Sequence, residues 1–254
     1  MLQAHSLLWH YLWVAPNLGL LSLGILLWRR GIGRQFPVFV AFAFLASIEQ
    51  LTVYAADVFP SVTAENFWRI LWGGLLVEGF LKIVLIGEIF AHVFGSYDSV
   101  ARLGKSLIRV VGALLVLAAV IGAAYIQRDN NHWLISGAHI LEQTIYLIEC
   151  GLLLFMFLFA GYFRLTWNSA PFGIALGLGI SACVHLATWA VMANGGLLDR
   201  RYLLDFVNMA TYHFCVLIWF YYLLAPQKSA TTSAPLPEHN LDIWNRELER
   251  LLQQ

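Results

Sequence analysis

The sequence predicts an all-α, polytopic membrane protein: a bundle of seven transmembrane helices with its N-terminus outside and its C-terminus cytoplasmic. Three observations carry that expectation. Of 254 residues, 60% are hydrophobic and only 12% charged, about half the charge of a soluble globular chain. Seven continuous apolar stretches, at 6–28, 36–58, 67–93, 106–126, 134–162, 170–192 and 203–225, each reach the roughly 20 residues that a helix needs to cross a bilayer. Ten Lys and Arg side chains gather on one side of these stretches and four on the other, and the richer side is expected to be cytoplasmic.

The first stretch has neither a basic leader nor a small-residue cleavage site, so it reads as a retained helix rather than a signal peptide. Arg29-Arg30-Gly31-Ile32-Gly33-Arg34 then forms a turn rich in breakers and inside charges. The second stretch offers Ser47, Gln50, Tyr54 and Asp57 on one face, with Glu49 beside it, and Phe59-Pro60-Ser61 ends it. The third carries Glu78, Lys82, Glu88 and His92 within about a third of the helix circumference. The fourth has no ionisable residue between Val110 and Ile126 and is expected to face lipid. After Arg128-Asp129-Asn130-Asn131, the fifth lines up His139, Glu142, Gln143, Tyr146, Glu149 and Cys150. The sixth aligns Gly177, Ser181, His185 and Thr188, whose small members permit close helix approach. Past Asn194-Gly195-Gly196, the seventh presents Asp205, Asn208, Tyr212 and Cys215, with His213 at the edge of that face. Trp9, Trp68, Trp133 and Tyr202 mark the outer interface, and Trp28, Trp167 and Tyr222 the inner one. The alternating pattern of a membrane barrel strand is absent. Cys150, Cys183 and Cys215 all fall inside spans and read as buried, apolar thiols rather than as a disulfide.

The chain divides into a bundle over 1–225, a flexible Ser/Thr/Ala/Pro-rich linker over 226–239, and a cytoplasmic amphipathic helix over 240–254. In that helix Leu241, Trp244, Leu248 and Leu251 share a face opposite Arg246, Glu247, Glu249 and Arg250. The apolar face fits the inner membrane surface, a protein partner or a second copy of the chain. Zero net charge without a basic cluster excludes nucleic acid as a partner.

Ionisable groups inside a membrane cost about 2.5–3.5 kcal/mol each on insertion scales, so they face the bundle interior and mark functional sites by default. Counted from the outer ends, Glu49, Glu78, Glu142, His185 and His213 share a level within about 6 Å, with Lys82 and Glu149 forming a second layer near the midplane. A ligand or proton cluster of Glu49, Glu78, Lys82, Glu142, Tyr146, Glu149 and Tyr212 follows. Carboxylates outnumber the lone Lys82, so they must be protonated, paired with imidazolium, or cation-binding. His139, Glu142, His185 and His213 have the chemistry to ligate a divalent ion such as zinc, iron or manganese. Two of the histidines could instead hold haem. No HExxH, HxxxH or paired ExxH pattern occurs in any span. A ladder from Glu142 through Glu149 to Glu88 and His92 suits a proton relay. Retinal is excluded, because Phe206 to Leu224 contains no lysine. A purely structural reading also exists, with the polar groups satisfying one another and fixing helix register.

Several blocks are similar to a family of uncharacterised bacterial seven-span membrane proteins. They are Arg34-Gln35-Phe36-Pro37, Glu88-Ile89-Phe90 with Val93-Phe94 and Tyr97, Cys150-Gly151-Leu152-Leu153-Leu154-Phe155, Phe172-Gly173-Ile174-Ala175-Leu176-Gly177, and Leu217-Ile218-Trp219 with Tyr222-Leu223-Leu224-Ala225-Pro226. The resemblance implies kinship and a multi-pass location in a bacterial inner membrane, and it brings no activity. The residues themselves favour a binding or sensory membrane module reporting through its tail. The competing class is an intramembrane, metal-dependent hydrolase acting on a lipid.

Overall fold

The computed structural model describes residues 5–95, 131–162, 169–193 and 201–224, with single helical residues between 102 and 113 and at 246, 249 and 250; side chains of the 131–162 helix are described from Glu142 onward. Six long helices are present among them: α1 (Leu7–Arg29), α2 (Pro37–Val58), α3 (Ala64–Phe94), α4 (Asn131–Tyr162), α5 (Ala170–Ala193) and α6 (Arg201–Leu224). All six are long and apolar enough to cross a membrane. They coincide with six of the seven expected stretches; 106–126 falls almost wholly outside the described residues, as do the linker and most of the tail helix.

Local chemistry explains the helix ends. Ser6 accepts a hydrogen bond from the Trp9 amide at the start of α1, and Thr63 does the same for Asn66 at the start of α3, each satisfying an amide that the first turn leaves open. Gly31 adopts φ +73, a left-handed conformation natural to glycine, and a short 3₁₀ turn over Ile32–Arg34 follows it. We call this the Gly31 end of the bundle and the opposite one the Pro60 end.

The helices close into a ring. Each packs on its neighbour in the order α1 to α6, α6 returns to α1, and α3 also touches α5 across the centre. Side-chain contacts give the directions. Glu49 meets Gly74, and Val38 meets Glu88, so α2 and α3 are antiparallel. By the same test, α4 and α5 are antiparallel, as are α5 and α6. In contrast, Lys82 meets Glu149, Phe90 meets Phe155 and Phe94 meets Phe159, with both numberings rising together. Helices α3 and α4 are therefore parallel.

The interior is layered. Toward the Gly31 end it is apolar: Leu27, Phe39, Phe42, Leu85, Ile86, Ile89, Leu153, Met156 and Trp219 are all buried in one continuous cluster. Close helix approach shapes this layer as expected, since a Cβ at Gly177 would collide with the Trp219 indole and one at Gly173 with Tyr222. The Trp219 Nε1–H donates to the Ile174 carbonyl at 3.2 Å, which satisfies a buried polar group as such groups require. The buried charges lie above this layer, toward the Pro60 end.

Candidate functional site

Lys82 is the centre of the polar layer. Its register on α3 places Glu78 one turn earlier on the same face, and the ammonium lies 3.0 Å from Glu78 Oε1. From α4, Glu149 Oε2 approaches to 3.4 Å. Lys82 is 5% and Glu149 2% exposed, so neither charge is screened by water and each needs the other. Tyr146, one turn before Glu149, sets its ring under the same ammonium at 4.5 Å from the centroid, within cation–π range. On its side, α5 supplies His185, whose ring stacks on Tyr146 at 4.3 Å and 13° from parallel. Thr188 places its hydroxyl 2.8 Å from the His185 carbonyl and 3.1 Å from the Asn208 side-chain oxygen, extending the polar contacts to α6.

Glu49 joins from α2. Its carboxylate occupies the space where a side chain at Gly74 would be, one helical turn before Glu78. Both of its oxygens are buried without a hydrogen bond among the described residues. Beside this group lies a cavity of about 10 Å³ lined by Leu75, Glu78, Gly79, Lys82, Glu142, Ile145 and Tyr146. That volume is about the least that admits one water molecule.

The structure thus brings together Glu49, Glu78, Lys82, Glu142, Tyr146, Glu149 and His185, as the helix faces and depths predict. Tyr212 of α6 stands within electrostatic reach of Glu78, Lys82 and Glu49 and donates to Asn17 Oδ1 at 3.3 Å on the α1–α6 seam. The remaining expected members lie elsewhere. His213 sits beside Tyr11 of α1, ring centroids 5.8 Å apart. The His139 side chain and the tail residues Leu241, Trp244, Leu248 and Leu251 lie outside the described residues; of the tail, Glu249 pairs with Arg102 at 3.4 Å. No group of three His, Cys, Asp or Glu side chains that could hold a metal ion occurs among the described residues.

The relay from Glu149 to Glu88 is not the arrangement found. Both Glu88 oxygens accept backbone amides of α2, from Val38 at 3.0 Å and Phe39 at 3.1 Å, and His92 Nδ1 donates to the Glu88 carbonyl at 2.9 Å. A carboxylate there also complements the positive end of the helix dipole. The sequence held a signal for this cap: α2 opens Phe36-Pro37 with no capping side chain of its own, so an acceptor had to come from another helix. The thiols also depart from expectation. Cys215 is buried, but Cys150 is half-buried, Cys183 is exposed, and the sulfurs of these two lie 3.6 Å apart.

No protein-family model matches this chain, and neither a curated protein nor a solved structure does.

Proposed function

We propose that the protein is a multi-pass membrane sensory module whose Lys82 centre binds a proton. The observation that carries this reading is the surplus of buried carboxylate over ammonium beside a water-sized cavity. Glu78 and Glu149 share Lys82, and Glu49 is held one turn away with its oxygens unbonded among the described residues. Three carboxyls against one ammonium leave two excess negative charges, and each proton taken up removes one of them in a medium that penalises charge. An organic ligand does not fit the cavity. The apolar layer of Phe39, Phe42, Leu85, Ile89, Leu153, Met156 and Trp219 seals the centre from the Gly31 end, which favours sensing over conduction.

We further propose seven crossings, with the N-terminus outside, in a bacterial inner membrane. Support for the count comes from the parallel course of α3 and α4: two crossings in one direction need a return crossing between them, and 106–126 is the apolar stretch available. Arg102, Gly104, Ser106, Arg109, Val110 and Ala113 are already helical. The charge asymmetry then makes the Gly31 end cytoplasmic, and the tail helix reports there by contacting a partner or a second copy.

Infrared difference spectroscopy of the protein in nanodiscs, stepped in pH, tests the centre. A carboxylic-acid carbonyl band that titrates in the wild type and is lost or shifted in Glu149→Gln or Glu49→Gln is expected. Spectra without such a band would refute the proton site, and proton flux through reconstituted vesicles would refute the sealed layer. Reporter fusions at 97 and 129 falling on the same side would refute the seventh crossing. An oligomeric state and membrane behaviour unchanged on deleting 240–254 would count against the tail.

A further inference from the structure

We infer that Cys150 and Cys183 form an intramembrane redox site, a dithiol that a lipid-soluble quinone oxidises to a disulfide joining α4 to α5. The two sulfurs come from different helices and already touch at 3.6 Å, so a bond needs about 1.6 Å of closure, which a swing of one side chain supplies. Both residues stand near the middle of apolar helices that are long enough to cross a membrane. Cys183 is exposed on that surface, and beside Cys150 a Cβ added at Gly151 would meet nothing within 4 Å among the described residues, which leaves the pair open to a flat ring arriving from the hydrocarbon.

The location selects the oxidant. Thiol–disulfide exchange needs the attacking sulfur and the incoming disulfide to meet, and a hydrocarbon surrounding excludes charged aqueous disulfides. A quinone dissolves where the thiols are. Two S–H bonds break and one S–S bond forms; the two electrons and two protons released reduce the quinone to the quinol, which leaves with two new O–H bonds. The bond has a local consequence as well. Glu149 precedes Cys150, and His185 follows Cys183 by two residues, so the cross-link fixes the helix pair that carries the Glu149–Lys82 contact and the Tyr146–His185 stack. The inference does not depend on the proton reading, because thiol chemistry is its readout.

The test uses the full chain in nanodiscs, treated with a short-chain ubiquinone analogue and then denatured and titrated with a maleimide mass tag. Wild type and Cys215→Ser are each expected to lose two free thiols, with one quinol formed per chain, a 150–183 cross-linked peptide by mass spectrometry, and full recovery on reduction. Cys150→Ser and Cys183→Ser should each keep every remaining thiol free, and oxidised glutathione should act far more slowly than the quinone. Retention of all three thiols in the wild type would overturn the inference. So would a cross-link that joins Cys183 to a second chain, or equal reactivity toward the aqueous disulfide.

Discussion

Tyr146 of α4 and His185 of α5 stack ring on ring, 4.3 Å between centroids, and the same tyrosine ring carries the Lys82 ammonium of α3 at 4.5 Å. One aromatic side chain therefore ties three helices at the level of the buried charges. Tyr146→Leu removes both ring contacts and is expected to cost about 1–3 kcal/mol, the sum of a desolvated cation–π contact and an aromatic pair. Tyr146→Phe keeps both faces and should cost under about 1 kcal/mol. Equilibrium unfolding in mixed micelles measures the difference, and equal losses for the two variants would contradict the ring's role.

Removing Lys82 strands two carboxylates. Lys82→Met is expected to destabilise the protein by about 3–5 kcal/mol, because an uncompensated charge is left buried. Adding Glu149→Gln removes one of the stranded charges, so the double variant should be more stable than Lys82→Met alone. A double-mutant cycle isolates that coupling, and additive losses would show that the 3.4 Å approach has no energetic weight.

Glycine positions separate close approach from helix propensity. At Gly74 a methyl group meets the Glu49 carboxylate, and at Gly177 it meets the Trp219 indole, so Gly74→Ala and Gly177→Ala should each cost about 1–3 kcal/mol through overpacking. Gly73 has nothing within 4 Å of the added carbon among the described residues, and Gly73→Ala should be neutral or up to about 1 kcal/mol stabilising. Thermal denaturation of the three variants in one detergent orders them.

Glu88→Ala uncaps α2. The expected loss is about 1–2 kcal/mol, localised to the first turn of that helix. Hydrogen exchange should accelerate at Val38 and Phe39 while the amides around Val53 stay as protected as in the wild type. Uniform acceleration along α2 would point to general unfolding rather than to a lost cap.

Spans and polar faces were legible because both follow from helical periodicity and from the penalty for burying charge in lipid. Glu78, Lys82, Glu142, Tyr146 and Glu149 had to point inward, and residue counts put them at neighbouring depths. What periodicity does not encode is azimuth, the neighbour that each inward face meets. His213 sits at the right depth but beside Tyr11, because α6 packs between α5 and α1. Glu88 looks like another intramembrane acid until the missing cap of α2 is set against it. Cys183 reads as core from composition alone, yet its place on α5 turns it outward. Depth counting also missed Gly74, since a residue without a side chain leaves no mark on a helical wheel, although its bareness admits Glu49.

The two-pronged grip of Glu88 on Val38 and Phe39 sets a mechanical boundary. A shift of α3 by one residue would release both amides at once, so its alignment with α2 is held in a single notch rather than along a continuous slide.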